Sequence, residues 1–161
     1  MSRDFSKKRE LAQYFIRCYI AARQGLTKLA ILRSERNLQG DYAEWLAAGL
    51  LGLQLAPSTI QKGFDAKDNE GNTYEIKSRI VRTLRQNTSF DFRRGEMQFD
   101  FLIGVFFSPS FDLLGVIRVP NQVVRELAVQ NANRFSFRWN KQTTGDPRIE
   151  KPIWSEDSKD K

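Results

Sequence analysis

The spacing of apolar positions changes along the chain, and each change marks a new element. From about Phe5 to Gln24, Leu11, Phe15, Cys18, Tyr19 and Ala22 recur at steps of three and four. That is the period of an amphipathic helix, and Gly25 is placed to end it. The segment from Leu26 to Gln39 fits either a short buried helix or a strand through Leu29, Ala30, Ile31 and Leu32. A second helix follows, with Asp41 as its cap and Trp45, Ala48, Leu51 and Leu53 as its apolar surface up to Gln54. Pro57 closes the connection.

From Lys62 the period drops to two. Phe64, Ala66, Tyr74, Ile76 and Ile80 share one side of two strands joined through Asp68-Asn69-Glu70-Gly71-Asn72. Residues 82–98 are polar and basic, with Phe90 and Phe92 among them, and Phe99 to Phe107 is the most apolar run, suited to a central strand buried on both faces. Ser108-Pro109-Ser110 breaks it before another strand from Leu113 to Val119. Pro120 is placed as the first residue of a helix carrying Val123, Val124 and Leu127, and Phe135, Phe137 and Trp139 alternate with polar residues in a last strand. This order of helices and strands predicts an α/β protein with a mixed sheet flanked by helices, one domain over 1–154 and a loose charged tail at 155–161.

Composition narrows the chemistry. The chain has 161 residues, 40% of them hydrophobic and twelve of them Phe, enough for a packed core. It carries 26 Lys and Arg against 19 Asp and Glu, a net charge of +7, which attracts polyanions, nucleic acid first among them. With no histidine and only Cys18, taken as a core residue, Ser-His and Cys-His nucleophiles, His-coordinated zinc and an intramolecular disulfide are excluded. The amino-terminal residues show neither a secretory signal nor a transmembrane span, so a cytoplasmic protein with no membrane contact is expected.

The hairpin is where chemistry concentrates. If Asn69-Glu70-Gly71 is its loop, with Gly71 left-handed, facing positions sum to 140 and Asp65 lies opposite Glu75. Lys77 shares the face of Glu75, while Phe64, Ala66, Tyr74 and Ile76 point to the core. Two carboxylates opposite one another repel and call for a compensating cation. An all-oxygen donor set suits Mg²⁺ or Mn²⁺, and no organic cofactor is expected. A bare Glu-x-Lys arises by chance in about every second chain of this composition, and Asp65-Ala66-Lys67 is a decoy of the same type. The plain alternative is a solvated hairpin with cross-strand ion pairs.

Gly63-Phe64-Asp65, Tyr74-Glu75-Ile76-Lys77 and Glu44 within Asp41-Tyr42-Ala43-Glu44-Trp45-Leu46 together resemble the PD-(D/E)xK, or restriction-endonuclease-like, nuclease superfamily, over roughly residues 40 to 120. Phe64 stands where that family's motif has proline. The resemblance implies a restriction-endonuclease-like fold with a catalytic core over 40–140 behind a helical extension over 1–39. It also implies a metal held at Asp65, Glu75 and Ile76, a water positioned by Lys77, and assistance from Glu44. The expected activity is metal-dependent hydrolysis of DNA phosphodiesters; the alternative is a non-catalytic nucleic-acid-binding module on the same fold. Arg79, Arg82, Arg85, Arg93 and Arg94 are the expected phosphate contacts, and the basic first helix, with Lys7, Lys8, Arg9, Arg17 and Arg23, is a second candidate. Cutting both strands of a duplex calls for two active sites, which adds a homodimer to the expected partners.

Overall fold

The computed structural model describes residues 3–34, 37–57 and 63–155. Lys62, where the first hairpin strand was expected to begin, and residues 156–161 of the tail lie outside them. The elements are α1 (Arg3–Lys28), α2 (Leu38–Leu51), β1 (Gln54–Leu55), β2 (Ala66–Lys67), β3 (Thr73–Ile80), β4 (Thr88–Arg93), β5 (Phe101–Phe107), β6 (Leu113–Pro120), α3 (Asn121–Leu127), β7 (Val129–Asn131), β8 (Arg134–Trp139), α4 (Lys141–Thr144) and β9 (Glu150–Trp154).

Six strands form a mixed sheet in the order β1-β2-β3-β5-β6-β9, in which β3 and β5 are parallel and every other neighbouring pair is antiparallel. As its continuous apolar run predicts, β5 is central: all its residues after Phe101 are buried. A parallel pair needs a crossover. Here the crossover contains β4, which leaves the main sheet to pair with β8 in a second sheet ordered β4-β8-β7. Residues 88–93, read from sequence as part of a polar stretch, are therefore a strand. Phe90 and Phe92 alternate with Ser89, Asp91 and Arg93, and both rings are buried.

The main sheet buries both faces. On one lies α2, whose Ala43 and Ala47 meet Ala66, Tyr74, Ile76, Ile103, Val105 and Phe107. On the other, the second sheet and α3 bring Phe90, Phe92, Phe137, Trp139, Val123 and Val124 against Leu102, Phe106, Ile117 and Val119. Gly104 permits this closeness: a Cβ there would come within 2.7 Å of Ile117 and 3.0 Å of Phe90.

Several local expectations shift. The cap of α2 is Asn37, which accepts from the Gly40 N–H at 3.0 Å, and Asp41 is instead buried in the first turn. The small alanines of α2 go inward because they allow a close approach to the sheet, leaving Trp45 at 40% and Leu50 at 45% exposure. Ile80, at the end of β3, is also exposed, and Pro120 caps α3 from the last position of β6. The first helix runs through Gly25 to Lys28, and Cys18 is exposed, not in the core, because no part of α2 or the sheet reaches its face of α1. Among the described residues, no helix is long and apolar enough to cross a membrane.

Candidate metal centre at the root of the hairpin

The hairpin closes through a local device. Asp68 accepts from the N–H groups of Glu70 and Asn72, from the Asn72 amide and from the Tyr74 hydroxyl, all within 2.9 Å. Gly71 adopts φ 89°, the left-handed region open to glycine. The resulting register pairs Ala66 with Tyr74 and Lys67 with Thr73, so facing positions do sum to 140.

Continued by one residue, that register sets Asp65 across from Glu75. The chain leaves the sheet at this point, after Gly63 at φ 115°, and the Ile76 N–H is taken by the Asp65 carboxylate at 2.7 Å. One carboxylate oxygen of Asp65 is thus committed to the backbone of β3. Glu75 points the same way, and the Lys77 ammonium lies 2.9 Å from its Oε1 and 5.3 Å from the Phe92 ring centroid. Ile76, between them, buries its side chain under α2. Phe64 is only half-buried, with Lys67 of the decoy motif 4.7 Å above its ring.

Glu44 reaches the same place from α2. Its Oε2 is 3.4 Å from Arg33, and Asp65 and Glu75 are near enough to raise its pKa. Arg33 went unnoticed in the sequence because its segment has no clear period. It is held by the buried Asp41, whose Oδ2 accepts from the N–H groups of Arg33 and Ser34 at 2.9 and 2.7 Å, and its guanidinium also donates to the Ala56 carbonyl. Asp41 therefore carries a cation to the site.

Electrostatically the centre is short of positive charge. Burial, followed by the charge of Asp65, pushes both Glu44 and Glu75 up from 4.5 to about 7. Asp65 is also raised, mainly by burial, against the opposing Ile76 hydrogen bond and the charges of Lys77 and Arg33. Three carboxylates share the site with two cations, Lys77 and Arg33, and near neutral pH the cluster retains protons. Among the described residues, no three Asp, Glu, His or Cys side chains form a ready-made cage for a metal ion. The donor set nevertheless fits Mg²⁺ or Mn²⁺, which bind through one or two carboxylates and keep positions for water and phosphate oxygens.

The five arginines near the hairpin separate into three groups. Arg79 shares the face of Glu75 and Lys77, yet its guanidinium donates to the Ser89 carbonyl at 2.6 Å and the Ser78 carbonyl at 2.8 Å and lies over Phe90, so it braces β3 against β4. Because β4 runs back along β3, with Phe90 at Arg79 and Phe92 at Lys77, its two ends lie far apart. Arg93 and Arg94 sit at the Glu75 end, where Glu96 is close enough to raise Glu75 further and lies 3.9 Å from Arg93. Arg82 and Arg85 are exposed at the other end.

No family model matches the chain and no curated protein matches it in sequence, so the functional reading rests on the site itself.

Proposed function

We propose that the protein is a divalent-metal-dependent endonuclease of the restriction-endonuclease-like type, hydrolysing DNA phosphodiester bonds at the root of the hairpin. The observation that carries the reading is the trio Glu44, Asp65 and Glu75, largely withdrawn from water and mutually repelling, with the Lys77 ammonium 2.9 Å from Glu75. A structural hairpin has no need of such an arrangement. Clusters of carboxylates displaced from their usual pKa are a recurrent mark of sites built to bind a cation or move a proton.

Asp65 and Glu75 would hold the ion, and the resemblance adds the Ile76 carbonyl as a third oxygen donor. A bound Mg²⁺ or Mn²⁺ polarises a phosphoryl oxygen and neutralises charge developing on the phosphate. Glu75 keeps Lys77 at the edge of the centre, where its ammonium can orient a water for in-line attack. Glu44, in contact with Arg33, supplies a proton acceptor near neutral pH. The +7 net charge draws DNA in, and Arg93 and Arg94 are the arginines best placed for phosphates near the scissile bond.

The test is nicking of supercoiled plasmid with Mg²⁺ or Mn²⁺ by the wild type, Asp65→Ala and Lys77→Ala. Metal-dependent cutting by the wild type alone is expected; equal behaviour of all three sinks the proposal. A binding module without catalysis would give salt-sensitive DNA binding and no cutting by any of them.

A further inference from the structure

An arginine stands where the packing of the main sheet calls for an apolar side chain. Arg118 on β6 lies directly opposite Ile103 of β5, on the face that α2 covers with Ala43 and Ala47. Helix α2 ends at Leu51, and beyond it this face carries Tyr74 and Phe101, whose rings stack 5.4 Å apart at 20°, with the Arg118 guanidinium 4.1 Å from the Phe101 centroid. Stacking holds the group without using its N–H donors. Those donors are unspent among the described residues. The ion-pair partner, Glu150 on β9, is 3.8 Å from Nη1 and 57% exposed, and Nε is the one buried side-chain nitrogen or oxygen among the described residues without a hydrogen bond. A buried donor left without an acceptor weakens the fold. Chains keep such groups chiefly where they bind something.

Arg118 lines a pocket of about 500 Å³, within the roughly 300–1,000 Å³ usual for small-molecule sites. Leu51, Leu53 and Pro152 give it apolar walls. Two of its other charged groups are already engaged: Asp68 by the four donors of the hairpin turn, and the Lys151 ammonium by the Thr144 carbonyl at 2.7 Å. Arg118 keeps the most unspent donors. We propose that this pocket binds a small organic acid, with its carboxylate on the Arg118 guanidinium and its apolar body against Leu51, Leu53 and Pro152. A planar carboxylate matches the fork of guanidinium N–H groups and can accept two of them at once. A single negative charge suits the surroundings, because Glu150 and Asp68 repel a phosphate dianion more strongly. The pocket contains no proposed metal-binding or catalytic side chain, so it stands or falls apart from the nuclease reading.

The probe is hydrocinnamate, a carboxylate on an apolar body, titrated into the isotope-labelled full chain while the arginine Nε–H signals are followed by NMR. A saturable shift of the Arg118 Nε–H signal in the millimolar range is expected, with the Leu53 and Lys151 amides moving at the same concentrations. Hydrocinnamyl alcohol, which lacks the charge, should leave these signals in place. Arg118→Met keeps an unbranched apolar stem beside Phe101 and should weaken binding at least about tenfold, the loss expected for a hydrogen bond to a charged group. Glu150→Gln, on an exposed side chain, should tighten binding a few fold, because it removes the acid that competes for Arg118. No saturable shift of Arg118, or equal shifts with the alcohol, overturns the proposal. Weaker binding in Glu150→Gln overturns it too, since the pocket then takes a cation or a zwitterion. Inorganic phosphate or a short DNA duplex shifting Arg118 in place of the acid makes this a phosphate site and likewise overturns it.

Discussion

Two aspartates three residues apart on one hairpin are treated in opposite ways. Asp68, at the tip, receives four hydrogen bonds, the Asn72 side-chain amide foremost, and its pKa is held down at about 2. Asp65, at the root, receives one backbone N–H and faces two other carboxylates, and burial raises its pKa. The carboxylate that shapes the turn is given donors; the one at the proposed metal centre is left short of them. The contrast separates an acid that folds the chain from one withdrawn from water with few donors, which an Asp in the sequence does not reveal.

The largest effect should be on cleavage. Asp65→Asn or Glu75→Gln should lower the initial rate of plasmid nicking on the order of 10²–10⁴-fold, the usual span for a group acting directly in proton transfer or charge stabilisation. Asp68→Asn should leave the rate per folded molecule unchanged, and a comparable loss at the tip would erase the distinction. Lys77→Met sharpens it, since cutting should be lost while Mn²⁺ binding, followed by electron paramagnetic resonance, survives.

Metal binding should come next in size. With Glu44 and Glu75 raised to about 7, protons compete with the ion below that pH, so Mn²⁺ affinity should climb between pH 6 and 8 with release of protons, measurable by calorimetry in buffers of different ionisation heat. Asp68→Asn should leave that profile in place. A flat profile in the wild type would mean that neither glutamate takes part.

Stability without metal should give the smallest effects, with opposite signs at the two ends. The glutamates at the root bind protons more tightly in the folded state. The stability they lend is complete below about 4.5 and falls as pH rises through 7. At the tip, the stabilisation from Asp68 is present above 3.8 and disappears as pH falls towards 2. In EDTA at pH 8, Glu75→Gln should therefore stabilise the protein by about 1–2 kcal/mol, a rise of a few degrees in Tm, while Asp68→Asn should lower Tm. Destabilisation by Glu75→Gln under these conditions would make Glu75 a structural partner of Lys77.

Much of the hairpin was legible because its determinants are local. Turn chemistry at Asp68 and Gly71 and the alternation of Ala66, Tyr74 and Ile76 act over a few residues, and they specify both the register and the shared face of Glu75 and Lys77. The buried run of β5 was readable for the same reason. The arginines were not, because contiguity in sequence says nothing about where the two ends of β4 fall once it pairs with β8, or that Arg79 would be drawn onto the Ser78 and Ser89 carbonyls.

By itself, then, the sequence determined the hairpin, its turn and facing residues, and the central strand, and it holds no histidine and a single cysteine. Tertiary structure alone decided that Arg33 joins Glu44 beside the hairpin, that α2 buries alanines and leaves Trp45 exposed, and that the apolar face of α1 stays exposed among the described residues. Periodicity shows that an element has an apolar face, since side-chain direction repeats every two or 3.6 residues. Which surface covers that face, and which charges are withdrawn from water together, depends on residues distant in sequence.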